Sequence, residues 1–447
     1  MTAWKHVEAL RFPGREFDPR TGVARFHYAL GELRLTETVD LGVPRQVPGA
    51  LERVLDLLYV AASTSYYKLA APRRVELDLP LAEKALPWVT ALFREGLGEF
   101  AYRNDLPYVL DLDIAPGPYA DPPAQPHDAQ PHDAQQPGGR QLVAVGGGKD
   151  SIVSVEALKR AGFEPVLFAV NPNPIITSVL AVAERPVLTA RRTLDPRLRE
   201  LNARGAYNGH IPVTAINSLV AVATSLLHGL GPVVMSNESS ASVPNLNWRG
   251  RDINHQWSKG LAAETHLRDA LAAHAGLPDA YFSLLRGLSE LHIAGLFAKF
   301  SAYDGVVTSC NAAFRLLDAS ERWCGHCPKC RFVFLALAPF TGRDRLLRIF
   351  GTDIFADTTQ LPGYRELMGL TAHKPFECVR EIEESLVALR LLSEQPDWSS
   401  SPVLRTLLAE VPALPSDAEV AAAFRGDGPN VVPPDYLRAL ERLGAPR

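Results

Sequence analysis

The run GGGKDS at residues 146–151 combines residue types suited to holding a phosphate group. Three consecutive glycines let the backbone turn tightly and present N–H groups that no Cβ obstructs. A helix is predicted directly after the glycines, and its first turn adds N–H donors and the positive end of the helix dipole. Lys149 can reach an outer phosphate, and Asp150 can help to hold Mg²⁺. The spacing therefore predicts a phosphate-binding loop.

This loop fits neither of two common nucleotide motifs. A Walker loop has Ser or Thr directly after its lysine, whereas Asp150 follows Lys149 here. The dinucleotide pattern G-x-G-x-x-G is not formed either, because Ser151 stands where its last glycine would be. A different class of phosphate site is indicated, and a simple glycine-rich turn is the alternative interpretation.

A cysteine cluster is the second chemical signal. Cys324, Cys327 and Cys330 are each separated by two residues, and Cys310 lies 14 residues before Cys324. Four thiolates are the full ligand set of a closed tetrahedral Zn²⁺ site. An iron–sulfur cluster is the alternative, but the proline that often follows its last cysteine is replaced by Arg331. We therefore favour zinc.

Polar runs between the loop and the cysteines supply candidates for catalysis. They are residues 208–210 (NGH), 236–242 (SNESSAS) and 254–259 (NHQWSK), followed by Glu264, Glu290 and His292. Glu238 is a candidate Mg²⁺ ligand or general base. His210 and His255 are candidate acid–base groups because imidazole titrates near neutral pH. Lys259 could bind a carboxylate or phosphate.

The elements around these residues predict an α/β fold with a doubly wound parallel sheet. Short apolar strands are predicted at 141–145, 165–170, 186–189, 212–214, 232–235 and 305–308, and a helix at 150–160. Helical stretches separate several of the strands, as in parallel sheets. The polar runs follow strands, so they should meet where ligands bind in such sheets.

The rest of the chain is organised around this central part. Residues 1–115 read as an α+β module, with a hairpin at 23–30 and 33–41, helices at 50–69 and 82–95, and a strand at 74–79. Residues 116–139 are rich in proline and predict a flexible linker, whose His127 and His132 we interpret as solvated rather than metal-binding. The catalytic domain then spans 140–342. A mostly helical region, with helices at 376–392 and 401–410, occupies 343–447.

Composition narrows the possible partners. The chain has 447 residues, 46 Lys+Arg against 50 Asp+Glu, and a formal charge of −4, so no basic surface for nucleic acid is indicated. No signal peptide or apolar stretch long enough for a membrane span is seen. Five cysteines in a chain of this length do not indicate a disulfide framework. We expect a cytoplasmic protein.

The loop resembles the S-G-G-x-D-S pyrophosphate loop of the PP-loop ATP pyrophosphatases, with Gly146 where that family usually has Ser. The resemblance implies cleavage of ATP between the α and β phosphates and transfer of AMP to a substrate oxygen. It also implies that adenine lies at the end of the second strand. The implied nucleotide site is Gly146, Gly147, Gly148, Lys149, Asp150, Ser151, Val170 and Asn171. The cysteine cluster after such a domain is similar to that of the 7-cyano-7-deazaguanine synthases.

The whole pattern GGGKDS … NGHIPVTAINS … SNESSAS … NHQWSK … SCN … CGHCPKC resembles the UDP-N-acetylmuramoyl-L-alanyl-L-glutamate epimerases. This resemblance implies ATP- and Mg²⁺-dependent inversion of the terminal L-Glu of UDP-MurNAc-L-Ala-L-Glu, with a structural Zn²⁺ at the cysteines. The implied catalytic set is Lys149, Asp150, His210, Glu238, His255 and Lys259. The acid and base are drawn from His210, Glu238 and His255. The alternatives are a carboxylate-adenylating amide or nitrile synthase and a non-catalytic ATP sensor.

Overall fold

A ten-stranded sheet runs through the computed structural model, which describes residues 7–121, 139–315, 322–371 and 382–444. The strands are β1 (Ala9–Asp18), β2 (Val23–Leu30), β3 (Leu33–Asp40), β4 (Arg74–Glu76), β5 (Asp113–Ala115), β6 (Leu142–Ala144), β7 (Val166–Val170), β8 (Val187–Thr193), β9 (Val233–Met235) and β12 (Tyr281–Ser283). Strands β10 (Leu246–Trp248) and β11 (Arg251–Ile253) form a separate hairpin. The spatial order in the large sheet is β12-β9-β6-β7-β8-β3-β2-β1-β4-β5.

Helices cover both faces of this sheet. They are α1 (Ala50–Tyr67), α2 (Leu86–Arg94), α3 (Gly98–Arg103), α4 (Lys149–Arg160), α5 (Pro174–Ala183), α6 (Arg197–Ala203), α7 (Val213–His228), α8 (Leu261–Ala270), α9 (Glu290–Phe297), α10 (Asn311–Arg315), α11 (Pro328–Leu337), α12 (Arg343–Phe350), α13 (Leu361–Leu367), α14 (Ile382–Ser393), α15 (Pro402–Glu410), α16 (Asp417–Ala423) and α17 (Pro434–Gly444). No helix among the described residues is long and apolar enough to cross a bilayer.

The parallel half of the sheet confirms the predicted α/β class. Strands β12, β9, β6, β7 and β8 all run parallel, and the predicted strands at 141–145, 165–170, 186–189 and 232–235 correspond to β6, β7, β8 and β9. The chain starts this half at β6, continues on one side to β7 and β8, and then crosses to β9 and β12. The point of reversal between β6 and β9 is the position where open α/β sheets bind ligands.

Apolar residues bury both faces of the central strands. Leu142 and Phe168 pack in one hydrophobic core with α1, α7 and α8, whereas Val143 and Leu167 pack in a second core with α4, α9 and α11. Successive strand residues point to opposite faces. This explains why β6 and β7 read as continuous apolar runs rather than as alternating patterns.

The sheet continues into the N-terminal region. The predicted hairpin is confirmed as β2 and β3, joined at Gly31, whose φ of +59° suits glycine. Strand β3 then pairs antiparallel with β8, so strands from before and after residue 140 share one sheet. Strand β1 was not predicted from the sequence. Its register shifts between Arg11 and Gly14, and this bulge interrupts the alternation that would reveal a strand.

Two predicted strands are wrong. Residues 212–214 begin helix α7 at Val213, because the apolar positions that follow recur at helical spacing and Ile216, Leu219 and Val220 are buried. Residues 305–308 form a turn and an extended segment without a strand partner among the described residues. Thr308 instead donates its backbone N–H to the Gly147 carbonyl at 3.3 Å, so this segment supports the glycine loop rather than the sheet.

The remaining helical predictions are confirmed where the structure describes the chain. The helices predicted at 50–69, 82–95, 150–160 and 401–410 correspond to α1, α2, α4 and α15. Helix α14 covers the later part of the prediction at 376–392, and residues 372–381 lie outside the described residues. The predicted linker also lies mostly outside them, at 122–138, including His127 and His132.

The C-terminal helices pack back onto the parallel half of the sheet. Tyr436 of α17 stacks on Phe163 with ring centroids 4.9 Å apart, just after helix α4. Helix α11, which begins in the cysteine cluster, packs against α9 and α14 in the same core. The helical region therefore covers the sheet face from which α4 presents the glycine loop.

Candidate active site

A cavity of about 380 Å³ opens at the carboxyl ends of β6, β7 and β9. Gly146 and Gly148 of the glycine loop line it from β6, Val170 from β7, and Glu238 from the segment after β9. These strands flank the point where the chain order reverses. The cavity therefore lies where the topology predicts a ligand site.

The backbone of the loop requires its glycines at two positions. Gly147 has a φ of +87°, a conformation that strains any residue with a Cβ. A Cβ on Gly148 would lie 2.9 Å from the Ser309 Oγ. A Cβ on Gly146, by contrast, would meet nothing within 4 Å. Helix α4 begins directly afterwards at Lys149, so its first-turn N–H groups are next to the cavity.

Lys149 is a buried ion-pair partner rather than a solvent-exposed charge. Its side chain is 3% exposed, and its Nζ contacts both Asp150 Oδ1 and Glu290 Oε2. Burial opposes the ammonium charge, but the two carboxylates outweigh it and raise the pKa of Lys149. Lys149 is therefore fully charged at neutral pH.

Three carboxylates converge beside this lysine. One oxygen each from Asp150, Glu238 and Glu290 lies within 4.8 Å of the others. Burial raises the pKa of Asp150, and the nearby charges of Glu290 and Glu238 raise it further, although Lys149 opposes them. A hard divalent cation prefers such oxygen ligands. The residues present therefore fit Mg²⁺, which would relieve the repulsion among the carboxylates.

Lys329 is a cavity residue that the sequence indicated only as a positive charge beside the cysteines, and not as a candidate for catalysis. Its Nζ lies 3.6 Å from Glu290 Oε1, and the residue lines the cavity. Lys329 lies between Cys327 and Cys330. Its position inside the cysteine motif was the sequence signal that could have identified it as a site residue. Lys149 and Lys329 thus approach Glu290 from two sides, and Lys149, Lys329 and Lys259 together lower the pKa of Glu290 against the effect of its burial.

The four cysteines predicted as metal ligands do come together. Their Sγ atoms all lie within 4.8 Å of one another, with Cys324–Cys330 and Cys327–Cys330 at 3.7 and 3.5 Å. Tetrahedral ligands with Zn–S bonds of about 2.3 Å are about 3.8 Å apart. The cluster therefore fits one tetrahedral ion.

The two candidate histidines also meet, although 45 residues separate them in sequence. The rings of His210 and His255 have centroids 4.3 Å apart and are tilted by 44°. Burial and the neighbouring His255 lower the pKa of His210 to about 4, so His210 is neutral at physiological pH. His255 Nδ1 contacts the Glu99 carboxylate, a residue from before the linker that the sequence gave no reason to select.

Neither His210 nor His255 is among the residues that line the cavity, but the NHQWSK run that contains His255 reaches it. Gln256 and Lys259 line the cavity directly. The Lys259 charge acts on both Glu290 and His210, lowering the pKa of each. Lys259 is therefore close enough to influence both the carboxylate cluster and the histidines through its charge.

Other candidates have structural partners outside this arrangement. Glu264 is buried in an ion pair with Arg286 at 2.8 Å, and Arg286 in turn donates to the Glu238 carbonyl at 2.6 Å. His292 packs against Phe424 with ring centroids 5.8 Å apart. Glu264 thus positions the segment that carries Glu238, without facing the cavity.

Of the other residues predicted for the nucleotide site, Ser151 and Val170 line the cavity, whereas Asn171 does not. Ser151 lines the cavity and donates its Oγ hydrogen to the Gly148 carbonyl at 3.0 Å. Val170 also lines it, at the end of β7. Asn171, with a φ of +47°, joins β7 to β8 through side-chain hydrogen bonds with the Arg192 backbone at 2.8 and 2.9 Å. Its predicted contact with adenine stays a prediction.

The fold and the site define a class of α/β proteins that present a glycine loop and a cluster of carboxylates at the switch point of a parallel sheet. Comparison with known proteins gives the family. Residues 1–284 match the model of the MurL N-terminal domain, and residues 306–422 match that of the MurL C-terminal domain.

Named relatives agree with these models. The chain is 57% identical to the UDP-N-acetyl-alpha-D-muramoyl-L-alanyl-L-glutamate epimerase of a Micromonospora species, over 98% of both chains. It is 39% identical to the epimerase of the same name from Xanthomonas oryzae, over 96% of both chains. This chain therefore belongs to the MurL family of UDP-MurNAc-L-Ala-L-Glu epimerases, as its sequence motifs indicated.

A more distant relative shares part of the chain. The 7-cyano-7-deazaguanine synthase of Myxococcus xanthus is 27% identical over 214 residues, which is 43% of this chain and 89% of that protein. No solved structure gives a significant match.

Proposed function

We propose that this protein is an epimerase that converts the terminal L-Glu of UDP-MurNAc-L-Ala-L-Glu to D-Glu, consuming ATP in the presence of Mg²⁺, in peptidoglycan precursor synthesis. The whole-length similarity to named epimerases supports the reaction. The observation that carries the use of ATP is the cavity at the switch point, which the glycine loop and the three clustered carboxylates line and behind which Lys149 is buried against Asp150 and Glu290.

A PP-loop fold is part of this proposal. It is supported by the five parallel strands, by the spatial order β12-β9-β6-β7-β8, and by the position of the GGGKDS loop directly after β6. In such a site ATP phosphates would lie against the loop and the start of α4. Adenine would lie near Val170 at the end of β7.

Adenylation solves a chemical problem of the epimerisation. The Cα–H beside an ionised carboxylate is a very weak acid, because its carbanion would lie next to a negative charge. A glutamate α-carboxylate oxygen attacks the ATP α-phosphorus, the bond to the pyrophosphate oxygen breaks, and pyrophosphate leaves. Lys149 and Lys329 are placed to neutralise charge on the phosphates. Mg²⁺ held by Asp150, Glu238 and Glu290 would stabilise the same charge.

We propose His255 and Lys259 as the acid–base pair, which keeps His255 from the expected set of His210, Glu238 and His255 and adds Lys259. Glu238 lies among the carboxylates suited to the cation, so it is better placed to bind Mg²⁺ than to move the Cα proton. His255, paired with His210, takes the proton from one face of the adenylated glutamate. The Lys259 ammonium, on the cavity wall, returns a proton to the other face. Water then releases AMP, and exchange with solvent restores His255 and Lys259.

The cysteines would hold a structural Zn²⁺. Four sulfur ligands leave no open coordination position for substrate. Sulfur separations of 3.5 and 3.7 Å suit a single ion, whereas an iron–sulfur core would hold its cysteines further apart. The role of such an ion is to fix the segments that carry Ser309, Asn311 and Lys329 at the cavity.

The alternative of an amide or nitrile synthase is less well supported. The 7-cyano-7-deazaguanine synthase relative covers only 43% of this chain, whereas the epimerase relatives cover 96% or more. The match to the synthase leaves more than half of this chain unaccounted for. It therefore does not explain why a long N-terminal region shares the sheet with the proposed nucleotide site.

Isotope exchange tests the proposed reaction directly. The protein is incubated with ATP, Mg²⁺ and UDP-MurNAc-L-Ala-L-Glu in D₂O, and AMP, glutamate configuration and deuterium content are measured. We expect AMP to form together with D-Glu that carries deuterium at Cα. A wild-type protein that forms no AMP and incorporates no deuterium would contradict the proposal.

Replacing Lys149 separates an enzyme from a non-catalytic ATP sensor. Lys149→Met removes the buried charge beside the phosphates and should slow AMP formation by about 10²–10³-fold. Lys159→Met, on the same helix, removes a lysine that pairs with Glu156 and should leave the rate unchanged. Thermal unfolding of both variants controls for loss of the fold. Unchanged AMP formation in the Lys149 variant would exclude this residue from phosphate chemistry.

A further inference from the structure

A carboxylate from the N-terminal region reaches the candidate general base. The Oε2 of Glu99 contacts Nδ1 of His255, although 156 residues separate them. Glu99 itself is 5% exposed. A buried carboxylate beside an imidazole in a candidate active site requires an account of what it does there.

Helix α3 is built to hold this carboxylate. Arg103 Nε donates to the other oxygen of Glu99, Oε1, at 2.5 Å from one turn further along the helix. Burial raises the pKa of Glu99, but hydrogen bonds from His255 and Arg103 outweigh it and lower this pKa to about 2. Glu99 is therefore ionised at neutral pH and can only accept hydrogen bonds.

The same helix also positions His210. A Cβ on Gly209 would lie 3.0 Å from the Phe100 ring, so the chain before His210 packs closely on α3. Asn104, the residue after the helix, donates from Nδ2 to the Asn208 carbonyl at 3.2 Å. Both histidines thus depend on one short helix of the N-terminal region.

We infer that Glu99 is a positioning residue of the epimerase, which orients His255 by accepting its Nδ1–H and so makes Nε2 the basic nitrogen that takes the glutamate Cα proton. This inference rests on the proposed function. The inference extends the proposed function, because it names a residue from the N-terminal region, outside the part of the sheet that carries the glycine loop, as one that the reaction requires.

The hydrogen bond determines the tautomer of the ring. Because an ionised carboxylate has no hydrogen to give, Nδ1 of His255 must carry the hydrogen of that contact. In the neutral imidazole the other nitrogen, Nε2, then holds the basic lone pair. The same carboxylate stabilises the imidazolium that forms when Nε2 takes up a proton.

The proton transfer balances with these groups. The Cα–H bond of the adenylated glutamate breaks, and its electron pair enters the enolate. The proton moves to Nε2 of His255, and Glu99 stays ionised throughout. His210 remains neutral beside the new charge, because its own burial disfavours protonation.

Three cations surround the histidine pair, in addition to the carboxylate of Glu99. Arg103 lies behind Glu99, Lys259 lies on the cavity side, Lys68 approaches from the end of α1, and the two histidines face each other. The three cations oppose a positive charge on the rings, whereas Glu99 favours it. Removing the negative charge of Glu99 should therefore lower the pKa of His255.

The test compares Glu99→Gln with wild type in two assays. Gln keeps an oxygen that can accept from Nδ1 but lacks the charge. We expect the kcat for deuterium incorporation at Cα to fall about 10²-fold, since general bases contribute about 10²–10⁴-fold. The acidic limb of its pH profile should move to lower pH by about one unit. Pyrophosphate–ATP exchange with UDP-MurNAc-L-Ala-L-Glu, which reports adenylation alone, should stay within about twofold.

Glu95→Gln is the matched control. Glu95 lies one turn before Glu99 and accepts a hydrogen bond from Trp257 Nε1 at 2.7 Å, within the same NHQWSK run. Gln can accept this bond, and tryptophan does not titrate. The pH profile of this variant should match wild type. Glu99→Asp, which restores the charge, should recover the position of the acidic limb.

The wild-type protein gives a second readout that does not depend on a variant folding. In protein labelled with ¹⁵N-histidine, NMR should show His255 with the hydrogen on Nδ1 at neutral pH. Hydrogen on Nε2 alone would overturn the inference. So would a folded Glu99→Gln protein whose acidic limb does not move, because a purely structural role changes the rate without that shift.

Failure of the inference and failure of the proposed function give different results. If the protein is not this epimerase, wild type will show neither pyrophosphate–ATP exchange with this substrate nor deuterium in glutamate. If only the role of Glu99 is wrong, wild type will show both, and the two Gln variants will share its pH profile.

Discussion

Gly146 is the position at which the glycine loop departs from the serine of the pyrophosphate loops that it resembles. The space around it is open, since a Cβ there would meet nothing within 4 Å, and the residue lines the cavity. The loop therefore has room for a hydroxyl donor that it lacks. Under the proposed function, backbone N–H groups, Lys149 and Lys329 would supply the anion contacts instead.

Gly146→Ser should therefore strengthen ATP binding. A new hydrogen bond contributes about 0.5–1.5 kcal/mol, so the KM for ATP in AMP formation should fall about two- to tenfold. Gly147→Ser is the contrasting variant. The backbone at Gly147 has a φ of +87°, which strains any residue with a Cβ, so this substitution should lower the melting temperature. An unchanged or higher KM in Gly146→Ser would show that the hydroxyl does not reach the phosphates.

At the scale of elements, the cysteine cluster and the cavity at the switch point share two segments. Cys310 lies between Ser309 and Asn311, which both line the cavity, and Lys329 lies between Cys327 and Cys330 at the start of α11. An ion bound by the four sulfurs would therefore hold both segments in place. This arrangement predicts that the bound metal affects nucleotide affinity without contacting the nucleotide.

Two variants distinguish the effect of losing the metal from the effect of losing the Lys329 charge. Cys327→Ser, or removal of zinc by a chelator, should lower zinc content, melting temperature and ATP affinity together. Lys329→Met should keep the zinc and raise the KM for ATP about tenfold, the loss of one charge-assisted hydrogen bond. Zinc is measured by elemental analysis. Zinc-free protein with wild-type ATP affinity would contradict the coupling.

Helix α3 is short, but it contacts both segments that carry the candidate histidines. It has only six residues, yet it contributes Glu99 to His255 and packs against the segment that carries His210. Few local signals mark such a helix in a sequence. Its contribution depends on contacts with residues more than 100 positions away.

At the scale of the whole molecule, the N-terminal strands extend the sheet that carries the glycine loop rather than forming a sheet of their own. The junction is the β3–β8 pair, and a buried ion pair secures it. Arg192 donates to both oxygens of Glu37 at 2.6 and 3.1 Å and to Ser65 Oγ at 2.7 Å. Glu37 is fully buried, so its charge depends on Arg192.

Arg192→Met should consequently destabilise both parts of the chain. Removing one partner of a buried ion pair costs about 3–5 kcal/mol. Because one hydrophobic core includes residues from β2, α1, α7 and α8, the free energy of unfolding in urea should fall in a single transition. Arg191→Met, at the exposed neighbouring position, should change it by less than about 0.5 kcal/mol. Separate transitions for the two parts would contradict this coupling.

Sequence alone determined the features that depend on nearby residues. The GGGKDS loop lies between a strand and a helix, so its spacing and flanking pattern were sufficient to predict it. The same holds for the hairpin around Gly31 and for the cysteine spacing. The family was also recognisable, because its motifs are short runs whose order along the chain is visible without a structure.

Only the tertiary structure decided how distant residues combine. It placed Glu290 against Lys149, Lys329 beside Glu290, and Glu99 on His255, pairs that lie 39 to 156 residues apart. It also turned residues 212–214 into the start of a helix, because burial along α7 outweighed the strand preference of a few β-branched side chains. Local patterns specify elements, whereas the charges that meet in a site depend on how those elements pack.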